Sequence, residues 1–160
     1  MSGFLELYDQ CFGDVYRFVY SRVRNQWDAD DLVSEVFTKA HRRWSTVRGD
    51  ARAWLFTIAR HTVTDFYRTK QREIPDQEAV EGLTAEGDDP HARTPDLDCL
   101  QAALEQLDER QREMISLRYF AGLTYRELAR SLNLREGTVK VRVYRLLGKV
   151  KEMVERCLMD

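Results

Sequence analysis

Proline and glycine are scarce in this 160-residue chain, with 3 of the first and 8 of the second. Stacks of short strands need a turn roughly every ten residues, so a β-sandwich or barrel is excluded in favour of long helices. Cysteine is equally sparse, at 3. Cys11, Cys99 and Cys157 are scattered, with no CxxC pair and no histidine at ligand spacing. Neither a disulfide framework nor a zinc site is expected; three free, mostly buried thiols in a reducing compartment are. Long apolar runs are missing as well. No stretch approaches the ~20 residues of a membrane span, and the start, Met1 to Glu6, lacks the basic and apolar segments of a signal peptide. A soluble, cytoplasmic chain without membrane insertion is expected. Catalytic groupings are also wanting. His41, His61 and His91 are dispersed, and there is no phosphate-cradling glycine loop and no metal-ligand spacing. The acids Asp28, Asp30 and Asp31 are explained more simply as helix N-terminal charges or partner contacts than as a metal cluster. Catalytic residues, metals and cofactors are therefore all expected to be none.

Apolar and charged residues are plentiful, at 43% and 32%, so burial can offset chain entropy. The net charge of −2 hides a pattern. Residues 1–70 carry 11 basic and 9 acidic side chains, residues 71–98 carry 2 and 9, and residues 99–160 carry 12 and 9. Two mildly basic blocks flank an acidic strip. The segment Arg135–Lys151 holds six basic residues against Glu136 alone, a local density suited to phosphate contact.

Helical periodicity runs through both basic blocks. Phe4, Leu7, Tyr8, Cys11, Phe12, Val15, Phe18 and Val19 mark a first helix, and Leu32, Val33, Val36, Phe37 and Ala40 a second. After a connection from Trp44 to Asp50 containing Gly49, Asp50 is placed to cap a third helix. That helix reaches about Lys70, with Trp54, Leu55, Ile58, Thr62 and Phe66 on one face. Trp54 reads as core; Trp44 is open between core packing and a stacking wall. Residues 71–98 lose the period and hold all three prolines, Pro75, Pro90 and Pro95. They read as a flexible acidic linker. From Leu100 the pattern returns and ends at Gly122, a C-cap. The expected fold is all-α: two small helical domains, 1–70 and 99–160, joined by that linker, with no β-sheet.

The most informative stretch is Gly122 to Lys140. Thr124 and Glu127 form a capping box. Tyr125, Leu128, Ala129 and Leu132 then make one apolar face over barely two turns. Ala129 is small where a following helix must cross, and Asn133 tolerates the left-handed turn conformation. In the next helix Val139, Val143, Leu146 and Val150 share a face, which leaves Lys140, Val141, Tyr144 and Arg145 pointing away and Thr138 and Arg142 on the flanks. A helix buried on one side and basic-aromatic on the other suits insertion into a DNA major groove. A hairpin with a merely solvated basic face is the plainer alternative.

This segment resembles region 4 of the sigma-70 family of bacterial RNA polymerase sigma factors. The similarity lies in Leu107–Glu113, Leu117-Arg118-Tyr119, Gly122–Ala129 and Glu136–Lys140 with Arg142 and Arg145. The N-terminal half is similar to region 2 through Val15–Phe18, Asp28–Val33, Glu35-Val36-Phe37 and Ala53–Arg60 with Asp65 and Arg68. Without a region 1.1 or region 3 domain, the layout resembles the extracytoplasmic-function (ECF) subfamily. The resemblance implies a sigma factor that directs core RNA polymerase to promoters. Its region 2 would bind the β′ clamp helices through Asp31, Leu32, Glu35 and Phe37. The same region would capture the melted −10 element through Ser45, Arg48, Arg52, Arg60, His61, Thr64 and Arg68. Region 4 would touch the β flap and read the duplex −35 element through Arg135, Thr138, Lys140, Val141, Arg142, Tyr144 and Arg145. A cognate anti-sigma factor is also implied. Departures from the family pattern fall at Ser34 (usually Gln), His61 (commonly Asn), Asp108 (Pro), Arg135 (Ser) and Val141 (a small polar residue). The acidic segment Glu73–Asp98 is expected to follow the polymerase's basic RNA path. Rival readings are a stand-alone regulator of the LuxR type, an enzyme, and a sigma-like decoy without promoter activity.

Overall fold

The computed structural model describes residues 2–73 and 94–160, and every regular element within them is helical. Helices α1 (Ser2–Val23), α2 (Gln26–Arg42) and α3 (Ala51–Glu73) form the N-terminal bundle. Leu7, Cys11, Val15, Phe18, Val19 and Val23 of α1 are buried, the spacing of one helical stripe. Asn25 starts α2, its side-chain oxygen accepting from the Asp28 N–H at 3.1 Å; this cap was not anticipated in the sequence, where only the acids of the first turn stood out. Asp50 caps α3 as expected, accepting from Arg52 N–H at 3.0 Å and Ala53 N–H at 3.2 Å. Between α2 and α3 lies a single 3-10 turn, Trp44–Thr46, followed by Gly49 at φ 73°. The open question over Trp44 resolves towards packing: its ring lies edge-on to Phe4 at 5.7 Å and to Trp54 at 6.0 Å.

The C-terminal half contains α4 (Pro95–Gln106), α5 (Glu109–Ile115), a π-helical turn Ser116–Phe120, α6 (Tyr125–Leu132) and α7 (Glu136–Met159). Thr94 caps α4 through the Leu97 N–H, with Pro95 in the first turn, where the missing donor costs nothing. Asp108 and Gln111 make a full capping box on α5. The π turn closes with Ala121 N–H donating to the Ser116 carbonyl at 3.0 Å, and Gly122 then turns the chain at φ 76°. Leu117 and Leu123, on either side of that turn, are fully buried. The wider π turn therefore seats two large apolar side chains before α6 begins.

Three expectations about the fold need correction. The acidic linker was bounded at 71–98, but α3 extends to Glu73 and α4 begins at Pro95, because Thr94 and Pro95 together supply a helix start. The remainder of that linker, and with it the path assigned to Glu73–Asp98, lies outside the described residues. The cysteines are not all free: Cys99 and Cys157 are joined in a disulfide, Cα to Cα 5.7 Å, and Cys11 alone is a buried free thiol. Their separation of 58 residues carries no local signal, and only the laying of α7 against α4 brings them together. Third, the apolar face of α3 is broader than the stripe read from the sequence. Phe56, Ala59 and Val63 are buried along with Leu55, Ile58 and Thr62. The reason is that the two halves dock on one another, so α3 packs against α1 and α2 and also against α6.

Candidate nucleic-acid interface

The pair α6–α7 is built by local rules. Thr124 Oγ1 accepts from Glu127 N–H at 3.1 Å, and Glu127 Oε1 accepts from Thr124 N–H at 2.9 Å, satisfying two helix-end donors reciprocally. Asn133 adopts φ 56° and ψ 47°, the left-handed position that ends α6. Leu134 N–H donates to the Ala129 carbonyl at 2.9 Å, folding the corner back on the helix. Leu128 and Ala129 are buried from α6, and Val139, Val143, Leu146 and Val150 from α7. Arg118 braces the loop ahead of α6: its Nη1 donates to the Leu123 carbonyl at 2.9 Å and its guanidinium lies 4.4 Å from the Tyr125 ring centroid.

The opposite side of α7 is free. Arg135, Lys140, Val141, Arg142, Tyr144 and Arg145 are all exposed and Thr138 is half-buried. Tyr144 is 79% exposed, and an aromatic ring left in water among three cations suits a partner surface better than the chain's own interior. Arg135 stands at the N-cap without a side-chain hydrogen bond, so its guanidinium is not spent on the helix end. Lys140 leans on Glu136 at 3.5 Å, an exposed pair that solvent screens. Of the seven residues assigned to this face from sequence, six are thus exposed and Thr138 is half-buried.

The N-terminal set is divided. Ser45, Arg48, His61 and Arg68 are exposed along the α2–α3 connection and the outer side of α3. The His61 imidazole is held below the ordinary histidine value, first by partial desolvation and then by the Arg60 charge. Thr64 donates its hydroxyl to the Arg60 carbonyl of its own helix. Arg52 and Arg60 are engaged elsewhere. Arg52 donates to Asp14 at 2.8 Å and to the Ala121 carbonyl at 2.9 Å and forms an ion pair with Glu127 at 2.9 Å, while Arg60 faces Glu113 at 3.5 Å. Sequence reasoning missed this cross-chain lattice, which also includes Arg22–Glu109, Arg24–Glu105 and Arg130–Asp50. Arg17 Nε donates to the Phe120 carbonyl and Thr57 to Ser131 in the same interface. Burial pushes the Glu113 carboxyl above its usual range, against the pull of Arg60 and Arg22. Docking therefore stakes a good deal on ion pairs.

Of the clamp-facing set, Asp31 and Glu35 are exposed, whereas Leu32 and Phe37 are 5% and 6% exposed. Phe37 packs on Tyr8 at 4.7 Å and Phe12 at 6.0 Å. The assignment of Leu32 and Phe37 as surface contacts is thus corrected: they hold α2 in the bundle, and their periodicity marks the core. The outer face of α2 instead presents Trp27, 78% exposed and one turn before Asp31. That residue escaped notice because it sits outside any motif.

Residues 7–73 match the family model for sigma-70 region 2, and residues 97–150 that for sigma-70 region 4. The chain belongs to the sigma-70 family. It is 34% identical over 164 aligned residues to the ECF RNA polymerase sigma factor BldN of Streptomyces coelicolor, covering 96% of this chain and 61% of BldN. It thus spans less than two thirds of that relative. It is 30% identical to the RNA polymerase sigma factor SigZ of Bacillus subtilis, covering 95% of this chain and 87% of SigZ. Among solved structures, the sigma factor RpoE from Bartonella quintana, crystallised with the anti-sigma factor NepR, aligns with a TM-score of 0.74 at 26% identity. That alignment covers 97% of this chain and 98% of RpoE. In this sigma-70 member the N-terminal bundle is accordingly region 2 and the α4–α7 unit region 4, with α7 as the outward-facing second helix of the helix-turn-helix. No described helix is long and apolar enough to cross a membrane, and no described group of His, Cys, Asp and Glu is arranged to hold a metal.

Proposed function

We propose that the chain is an ECF-type sigma factor that brings core RNA polymerase to specific promoters and starts transcription in the cytoplasm, without catalysis of its own. Region 4 reads duplex −35 DNA with the outer strip of α7. Arginines fork onto guanine edges or phosphates, Val141 meets a thymine methyl, and Tyr144 and Lys140 hold the backbone. Region 2 takes the separated −10 strand between the α2–α3 connection and α3, with Ser45, Arg48, His61 and Arg68 as the exposed contributors. Asp31 and Glu35 meet the polymerase clamp. The observation that carries the reading is the inward burial of Val139, Val143, Leu146 and Val150, which leaves a cationic-aromatic strip on α7.

The docked arrangement fits a resting state. Arg52 and Arg60, placed on the −10 face, are tied to Glu127 and Glu113 of region 4. Engaging both promoter elements at once requires these pairs to part. An anti-sigma factor that favours the docked form would act through the same equilibrium, and the likeness to a sigma factor solved with such a partner supports that expectation. Run-off transcription with core polymerase over a promoter library tests the reading: specific transcripts that vanish without this chain are expected. Tight, selective binding to duplex DNA with no polymerase present, and no transcript, would favour a stand-alone regulator instead.

A further inference from the structure

Region 4 carries a covalent feature that its family match does not assign. The match ends at residue 150, and Cys157 lies beyond it on the last turns of α7. Cys157 is exposed, whereas its disulfide partner Cys99 is 6% exposed and sits one turn into α4. Past Val150, Met153 and Val154 of α7 are half-buried against the core, and from Glu155 onward its side chains are exposed. The bond therefore fastens the exposed end of α7 to the helix that opens the domain. It also closes a loop holding nearly all of region 4, the helix-turn-helix included. The third cysteine stays out of this chemistry: Cys11 is buried, accepts a weak hydrogen bond from Arg52, and has its thiol pushed up by burial.

We infer that Cys99 and Cys157 form a reversible redox staple that sets the stability of the promoter-reading domain. Disulfides in reducing compartments are commonly transient and redox-sensing rather than structural. An unequal pair, one sulfur open to solvent and one covered, suits stepwise exchange with a low-molecular-weight disulfide, RSSR. The exposed Cys157 thiolate attacks RSSR, forming a Cys157–S–S–R bond and releasing RS⁻. The Cys99 thiolate then attacks the Cys157 sulfur, forming the Cys99–Cys157 bond and releasing a second RS⁻. The two protons lost by the protein thiols end on the two RS⁻ groups. Two protein thiols are oxidised and one external disulfide is reduced to two thiols; excess RSH reverses both steps. Oxidation removes loop-closure freedom from the unfolded domain, so the oxidised form outlasts the reduced one under heat. The proposal rests on the sigma-factor reading only for its transcriptional consequence, since the chemical readouts need no polymerase.

The test uses the full chain equilibrated with mixtures of reduced and oxidised glutathione, then denatured and alkylated. Oxidising mixtures should leave one alkylatable thiol per monomer, Cys11, and reducing mixtures three. The thermal midpoint of region 4 in the oxidised chain should lie about 10 °C or more above that of the reduced chain. Cys157→Ser, a change at an exposed position, should hold the reduced midpoint in both mixtures. Cys99→Ser serves as the second variant and should be equally deaf to the redox mixture whatever its own midpoint. In run-off transcription between the two midpoints, the oxidised wild type should retain most of its activity and the reduced chain lose it. Three alkylatable thiols in every mixture, a cross-link between two chains in place of the internal one, or equal midpoints overturn the staple. A midpoint shift without any change in heat-challenged transcription overturns its regulatory meaning.

Discussion

Glu127 serves two partners with its two oxygens, which allows the docking of the halves to be tested while the capping box of the helix-turn-helix is kept. Oε1 accepts from the Thr124 N–H within the capping box, and Oε2 lies 2.9 Å from Arg52 Nε of region 2 in an ion pair. In Glu127→Gln the amide oxygen keeps the first bond, since glutamine serves a capping box as well as glutamate. The amide nitrogen then faces the guanidinium, donor against donor. One ion pair is lost, worth about 3–5 kcal/mol where both groups are fully buried. The Arg52 and Glu127 side chains are 23% and 15% exposed, so solvent screens part of this. A loss of about 1–2 kcal/mol remains, a factor of roughly 5–30 in the docking equilibrium. Energy transfer between dyes on the two halves, followed against rising salt, reads that equilibrium. The variant should open at distinctly lower salt than the wild type, with the melting of region 4 unchanged. Glu127→Ala should open similarly but also weaken region 4 by about 1 kcal/mol through the lost cap. An identical salt midpoint for Glu127→Gln, or a loss of region 4 stability matching that of the alanine variant, would refute the reasoning.

Other perturbations follow from the same geometry. Docking should also respond to pH through Glu113, whose carboxyl is raised by burial in the docked form and returns to its ordinary value once the halves separate. The docked form then binds more protons at this group, so the contribution of Glu113 to docking is full below the ordinary carboxylate value and is lost as pH rises through the raised one; Glu113→Gln should remove that component from the pH profile in the dye assay. Arg142→Ala and Arg145→Ala should each weaken promoter binding by the assembled polymerase by about 1–3 kcal/mol if they touch base edges, relaxing selectivity at one −35 position. If they touch phosphates, binding falls evenly across promoters and the salt slope drops by about one, and an unchanged affinity with an unchanged slope removes them from the interface. Trp27→Ala should lower affinity for core polymerase by roughly tenfold or more, the size expected of a buried aromatic anchor, while leaving the melting curve alone because the ring is free of the bundle; equal affinity in a direct binding assay would show that the outer face of α2 is not the contact.

The helix-turn-helix was legible because its determinants lie within a few residues of one another. The Thr124–Glu127 box, Asn133 in the left-handed region and the spacing of Val139, Val143, Leu146 and Val150 each depend on helical geometry alone. The same locality let Asp50 announce the start of α3. On α2 the periodicity marked the core correctly, and it was the family resemblance that carried Leu32 and Phe37 over to a contact surface. Leu32 and Phe37 obey the buried stripe, and the exposed Trp27 follows no pattern that a single chain displays.

The amino-acid order by itself determined which segments are helical, where α3 and α6 are capped, and which side of α7 is left exposed. Only the packing of helix on helix decided that Arg52 and Arg60 would face Glu127 and Glu113, that α3 would pack against α6 as well as α1 and α2, and that Cys99 would bond to Cys157. Hydrogen bonds along one helix are set by rise and twist per residue, which the sequence spells out position by position. Contacts between distant segments depend on how whole faces are laid together, a choice shared among many side chains and written at none of them singly.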